Sequence, residues 1–375
     1  MSIQFIDLQA QRKRMGEALS KSIMAAVEGG QWVMGPQVKQ LEEQLAAFAG
    51  VKHALACANG TDALMIVLRA WEIGPGDAVF VPAFTFAASA EVVALVGATP
   101  LFVDVLEDTY NMDPASLEAA IAMVKKEGKL KPRVVMPVDL FGQTADYAKI
   151  EPIVKREGLK MLCDAAQGYG ARLGGRVAGG IGDAASTSFF PAKPLGCYGD
   201  GGATFTNDDA LIEVLRSIRV HGQGSDKYEN VRIGVNSRLD TIQAAILLEK
   251  MKLFPEEIEM REAVARRYNE MLGRSNRIRV PHVIDGAQST WAQYVLQVPN
   301  RDKLIADLKA KGVPTAVYYP IPLSQQKGYR HFPGAPTPVS EKISKTVVAL
   351  PMHPYLDAAT QDKIVAAVLE SVGQA

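Results

Sequence analysis

Three short segments carry residues that could do chemistry together. The first is Cys57-Ala58-Asn59-Gly60-Thr61-Asp62. A strand-like run enters Asn59-Gly60-Thr61, and a helical run follows at once. Asn59 or Thr61 can cap that helix, and Gly60 lets another group approach the backbone closely. Free N–H groups at a helix start, beside a threonine hydroxyl, form an anion site. The segment is neither the GxxxxGKS/T loop of nucleotide hydrolases nor GxGxxG. The second is Leu162-Cys163-Asp164-Ala165-Ala166-Gln167, where an apolar strand ends on Asp164. Ligands of open α/β sheets bind at such carboxyl ends, and a carboxylate there can hold a protonated ring nitrogen. The third runs from Ser186 to Ala203 and holds one lysine, Lys193, between Pro191 and Pro194. Pro194 biases Lys193 away from helix. A lysine in an apolar, fixed loop has reason to lose its charge and act as a nucleophile. Taken singly, the three also read as a capped turn, a capping aspartate and a surface lysine.

Taken together they match the needs of pyridoxal 5′-phosphate (PLP). The anion site anchors its phosphate, which immobilises the ring during proton transfers. The carboxylate keeps its pyridine nitrogen protonated, and the lysine takes its aldehyde.

These groups need a scaffold, and the rest of the chain supplies one. Helical spacing runs over Gln9–Val27 and Val38–Phe48. Strand-like and helical runs then alternate: Ala54–Cys57, Ala63–Trp71, Ala78–Val81, Ala87–Val96, Pro100–Val105, Pro114–Glu127, Val134–Val138, Tyr147–Glu157 and Lys160–Cys163. That rhythm predicts an α/β fold with a covered, mostly parallel sheet. Ala185–Phe190 and Gly202–Thr206 read as a hairpin-like excursion of the same sheet. Thr241–Leu272 is helical, broken by Pro255, and helices of this length often bridge domains. Strands at Ala292–Val298 and Thr315–Tyr318 and helices at Arg301–Lys311 and Thr360–Val372 make a small α+β unit. The domain boundary is placed near residue 250, giving 1–250 and 251–375.

The chain has 375 residues, enough for two domains. It is 48% hydrophobic and 22% charged, which excludes a disordered chain. Basic and acidic residues number 41 each, so the net charge is zero and a nucleic-acid partner is not expected. Cys57, Cys163 and Cys197 form no CxxC pair, and the five histidines form no HxxxH pair. Neither a disulfide framework nor a metal site is expected. The N-terminus lacks an apolar signal core, and the apolar stretch Ala83–Val105 is broken by Glu91, Gly97, Pro100 and Asp104. A cytoplasmic protein without a membrane span is expected.

With these motifs in place, the chain resembles the DegT/DnrJ/EryC1/StrS sugar-nucleotide aminotransferases, PLP enzymes of fold type I. The resemblance runs from Phe5 to the last helix. It rests on FIDL at 5–8, NGTDAL at 59–64, PAFTFAASAE at 82–91 and DAAQ at 164–167. It continues through SFFPAKPLGCYGDGGA at 188–203, RVHGQ at 219–223, GVNSRLDTIQAA at 234–245 and LPMHPYL at 350–356. The resemblance implies a large PLP domain with a mostly parallel seven-stranded sheet and a smaller C-terminal α+β domain. It implies that Lys193 is the Schiff-base lysine and proton shuttle. Asp164 is then the partner of the pyridine nitrogen and Gln167 that of the ring hydroxyl. Gly60, Thr61 and Ser188 hold the phosphate, and Phe86 stacks on the ring. Asn236 reaches a neighbouring subunit's phosphate, so a homodimer with shared sites is implied. Arg238, in the same motif, is the candidate contact for a substrate anion.

Several stretches, PTAVYYPIPL among them, resemble the branch acting on UDP-2-acetamido-2-deoxy-3-oxo-glucuronate. L-Glutamate is then the amino donor, and the product feeds a surface polysaccharide such as a lipopolysaccharide O-antigen. Two positions depart from that branch. Tyr318 stands where histidine is usual, and Asp139 where histidine or serine is usual, both expected near substrate. Other keto-sugar nucleotides, such as a dTDP-3-keto-6-deoxyhexose or a 4-keto sugar, are the alternative substrates. The related dehydratases replace the lysine with histidine, and a silent sensor has no use for Lys193, Asp164, Gln167 and Ser188 together.

Overall fold

The computed structural model describes residues 3–226 and 228–373. Seven strands form the central sheet: β1 (His53–Cys57), β2 (Asp77–Pro82), β3 (Thr99–Val103), β4 (Lys131–Val135), β5 (Lys160–Asp164), β6 (Ala184–Ser188) and β7 (Gly202–Thr206). Their order is β1-β7-β6-β5-β4-β2-β3. All pairs are parallel except those made by β7, which runs against both β1 and β6. The expected mostly parallel α/β sheet is what forms.

The strand sequences show why both faces are covered. Ala54, Ala56, Phe80, Val103, Val135 and Cys163 enter one core, under the helices Pro36–Ala49, Pro114–Glu127 and Tyr147–Glu157. Their neighbours Leu55, Cys57, Val81, Phe102, Val134 and Leu162 enter the other, under Gly60–Ala70, Ala88–Leu95 and Asp209–Arg219. Successive strand residues point to opposite faces, so an unbroken apolar run fills two cores. The flanking helices have local start and stop signals. Asp113 accepts a hydrogen bond from the Ala115 N–H, Pro114 fills the first helical turn, and Gly128 ends the helix at φ 64°.

A third core gathers Leu296, Leu304, Val348, Leu350, Ile364 and Val368 around an antiparallel pair, β8 (Tyr294–Gln297) and β9 (Val347–Leu350). The helix Phe254–Leu272 joins this core to the first. Phe254 and Ile258 pack under the large sheet, and Val264, Tyr268 and Leu272 pack in the small core. Pro255 lies in its first turn, where a missing N–H costs no helical bond.

Some expected elements differ. Thr315–Tyr318 is not a strand: only Ala316 bridges, to Ala349, and the chain then turns Tyr318 and Tyr319 toward the cavity described below. The strand expected over Val134–Val138 ends at Val135, and Val138 makes a single bridge to Asp164. The helix Asp209–Arg219 and strand Val347–Leu350 were not anticipated.

Candidate active site

The carboxyl ends of β1, β5 and β6 lie on one side of the sheet and deliver the three chemical segments to one place. A cavity of about 700 Å³ opens there. Gly60, Thr61, Phe86, Asp164, Gln167, Ser188, Lys193 and Tyr318 all line it. That volume suits a small ligand with a cofactor.

Its floor is a helix start beside a strand end. The helix Gly60–Ala70 begins at Gly60, and its first N–H groups have no partner within the helix. Asn59 caps it by accepting from the Asp62 N–H at 2.8 Å. Ser188, at the end of β6, packs against this helix start and lines the cavity. A Cβ added to Gly60 would sit 2.6 Å from the Ser188 Cβ, and one added to Gly202 would sit 2.4 Å from the Asn59 carbonyl. The Gly60 backbone therefore packs directly on the Ser188 side chain, and the Gly202 backbone on the backbone of Asn59.

Asp164 is buried, with 5% of its surface exposed. Ser89 Oγ donates to its Oδ2 at 2.9 Å, and the Ala166 N–H donates to its Oδ1 at 3.1 Å. Burial raises its pKa, while these donors and the Lys193 charge oppose the rise. Lys193 is its electrostatic complement. Burial lowers the lysine's pKa, and the Asp164 charge pulls it back up. A half-buried lysine with a lowered pKa gives up its proton more readily than one in water.

Gln167 is held at both ends. Its Oε1 accepts from the Phe141 N–H at 2.7 Å, and its Nε2 donates to Tyr319 Oη at 3.1 Å. Phe86 is 58% exposed, which excludes a core-filling role, and its ring lies 6.4 Å from that of Tyr319.

The donor set fits PLP. Contacts at Gly60 and Gly202 leave no room for a Cβ, and a carboxylate and a lysine line the same cavity. Among the described residues no cluster could hold a metal ion.

Two expected site residues are not in this cavity. Asn236 is exposed, Arg238 is half-buried, and neither lines it. Asp139 is not at the substrate side either. It is wholly buried behind Asp164, because its backbone N–H bonds the Asp164 carbonyl at 2.9 Å and draws the side chain into the core. Tyr319, Gln293, Asp62 and Asp200 line the cavity and were not singled out. Tyr319 adjoins the quoted Tyr318, so its motif was the available signal; Gln293 had none.

Comparison with known proteins gives the same picture. The DegT/DnrJ/EryC1/StrS aminotransferase family matches residues 13–369. The chain is 47% identical over 98% of its length, and 99% of the relative, to a UDP-2-acetamido-2-deoxy-3-oxo-D-glucuronate aminotransferase of Pseudomonas aeruginosa. A DegT DnrJ EryC1 StrS aminotransferase from Brucella abortus superposes with a TM-score of 0.97 at 52% identity, covering 99% of this chain and 100% of that one. NtdA from Bacillus subtilis, solved with bound cofactor PMP, gives 0.91 at 28% identity, covering 100% of this chain and 86% of that one.

Proposed function

The chain belongs to the DegT/DnrJ/EryC1/StrS aminotransferase family and is a PLP-dependent aminotransferase; from that premise we propose its substrate and the roles of its site residues. The amino acceptor is UDP-2-acetamido-2-deoxy-3-oxo-D-glucuronate, and L-glutamate is the donor. The named activity of the Pseudomonas relative supports the acceptor. The observation that carries the site is the convergence of Lys193, Asp164, Gln167 and the Gly60–Thr61–Ser188 cradle on one cavity.

Bound there, PLP supplies an electron sink that makes the amino-bearing carbon acidic. The protein's residues do the rest. Gly60, Thr61 and Ser188 hold the phosphate by N–H and O–H donors. Asp164 holds a proton on the ring nitrogen by its charge. Gln167 would meet the ring hydroxyl, and Phe86 would cover the ring. Lys193 would anchor the cofactor at rest and would move the proton at its Nζ during the transfer. Glutamate and the sugar use the same cavity in turn, so the kinetics are ping-pong.

The functional unit in this reading is a homodimer with shared sites. Asn236 and Arg238 lie outside their own cavity, and Trp32, Val33 and Met34 beside them are exposed apolar residues. Thr241 N–H bonds the Trp32 carbonyl and Val33 bridges Asp240, so the patch and the motif share one face. A second copy covering that face buries the patch and brings the partner's Asn236 to the phosphate. Mixing Lys193→Ala with Asn236→Asp subunits is then expected to rebuild one intact site in each heterodimer and restore activity. Full activity in a stable monomer overturns this reading.

A cytoplasmic setting and a role in surface-polysaccharide synthesis complete the proposal. Its three cysteines are buried and unpaired, as in a reducing compartment, and no helix among the described residues is long and apolar enough to cross a membrane. The boundary between a PLP domain and a smaller one is set near residue 250, just before the helix that joins the cores.

The substrate is tested with a panel of UDP- and dTDP-linked keto-sugars, scored by recovery of pyridoxal from the amino form of the enzyme. The uronate carboxylate needs a local cation, and the guanidinium of the partner's Arg238, carried to the cavity with Asn236 in the proposed dimer, can meet it with two hydrogen bonds. Arg238→Ala is expected to lower kcat/KM about ten- to hundredfold, the loss of a charged hydrogen bond. Tyr318→His should be tolerated, because both side chains can donate a hydrogen bond. Equal use of a 6-deoxy keto-sugar, which has no carboxylate, overturns the uronate assignment.

A further inference from the structure

Behind the cofactor site lies a second acid that the chemistry above does not use. Asp139 is fully buried, with 0% of its surface exposed. Its Oδ1 accepts from the Ala145 N–H at 2.9 Å and from the Tyr147 O–H at 2.7 Å. Its Oδ2 has no hydrogen-bond partner. The Gly168 turn closes over it so tightly that a Cβ there would lie 2.3 Å from the Asp139 Cβ. Two backbone bonds tie the segment to β5: Asp139 N–H to the Asp164 carbonyl and Asp164 N–H to the Pro137 carbonyl, each 2.9 Å. Asp139 therefore fastens both ends of the loop 139–147, and that loop presents the Phe141 N–H to Gln167.

The ionisable groups that face Asp139 are Asp164 and Cys163 of β5 and Tyr147 of the helix Tyr147–Glu157. Burial pushes Tyr147 and Cys163 up, so both stay neutral. No cation is among them. Two carboxyls so placed cannot both ionise cheaply, and the better-solvated one takes the charge. Asp164 has a donor on each oxygen and the Lys193 cation nearby. Asp139 has donors on one oxygen only.

We propose that Asp139 is a positioning residue that works as a neutral carboxylic acid, bracing the loop that orients Gln167 while leaving the negative charge to Asp164. Burial raises its carboxyl to about 7, so the acid form prevails below that pH. The consequence for Gln167 and the cofactor rests on the site reading given above; the protonation of Asp139 does not.

The sign of the pH effect follows. The folded carboxyl keeps its proton where the unfolded chain has lost it. This contribution to stability is complete below the ordinary carboxylate range and is lost as pH rises to about 7. Asp139→Asn keeps an acceptor for Ala145 and Tyr147 but cannot ionise. Asp139→Leu keeps the bulk and removes the acceptor.

The test uses the PLP-loaded protein and three readouts. Infrared difference spectra should show a carboxylic-acid carbonyl band in the wild type that fades as pH rises through about 7 and is missing in D139N. The melting temperature of D139N should change less than that of the wild type between weakly acidic pH and about pH 7. PLP retention by dialysis should be within about threefold of wild type for D139N and roughly tenfold weaker for D139L, whose loop loses two buried hydrogen bonds. A wild type without the acid band overturns the neutral acid. D139N as weak as D139L, or D139L as tight as wild type, overturns the brace. If D139L does not fold, the band and the D139N melting profile still decide. Failure of the cofactor reading shows separately, in Asp164→Asn, and leaves the band unchanged.

Discussion

Lys193→Ala is expected to lose transamination by on the order of 10⁴-fold, because in the proposed mechanism one side chain both anchors the cofactor and moves the proton. The proposed phosphate cradle does not include Lys193, so the variant should still retain cofactor without a covalent link. Borohydride reduction followed by peptide mapping should label Lys193 in the wild type and no lysine in the variant. The half-reaction with glutamate, followed by the visible spectrum, measures the loss. A label on another lysine would falsify the assignment. The burial that lowers the pKa of Lys193 sharpens the expectation. An exposed lysine supplied by a neighbouring segment would be fully protonated at neutral pH and a poor substitute.

Asp164→Asn should leave the cofactor bound and slow turnover by on the order of 10²–10³-fold, the scale of removing one preorganised electrostatic contact. The substitution is close to isosteric. An asparagine oxygen can still accept from Ser89 or from the Ala166 N–H, so the local fold has reason to survive. What disappears is the charge, and an amide cannot hold a proton on a pyridine nitrogen by charge. Single-turnover rates with glutamate measure the effect, and a cofactor titration run alongside checks that binding is intact. Near-normal rates would leave Asp164 as a structural cap for the turn that follows it.

Much of this arrangement was legible before any coordinates. The turn Asn59-Gly60-Thr61 announces a helix start by its cap, and the helix begins at Gly60. Pro191 and Pro194 mark Lys193 as loop, and it lies in a loop between β6 and β7. An apolar strand ending on aspartate places Asp164 at a carboxyl end, as found. The other features depend on groups brought together from afar. Ser89 reaches Asp164 across 75 positions, and Tyr319 reaches Gln167 across 152, with no local pattern to announce either contact. Asp139 was expected near substrate because its type departs from relatives. Its depth follows instead from the bridge between the 137–139 segment and β5. Thr315–Tyr318 has the composition of a strand, but β9 offers it only one bridging position, at Ala349. Asn236 and Arg238 sit in a strong motif, yet a motif does not say whose cavity a side chain enters.

The helix Phe254–Leu272 has a mechanical consequence. It is a single rod with one end set in the sheet's core and the other in the small core. The sheet supplies the cavity's floor, while Gln293, Tyr318 and Tyr319 enter it from segments beside the small sheet. A rod fixed at both ends resists a change in the gap between floor and roof. Acceptors are then sorted against a fixed gauge: a sugar too tall for the gap meets stiff resistance, and one too short leaves its far groups out of reach. Discrimination in such a vessel comes from its span as much as from any one hydrogen bond.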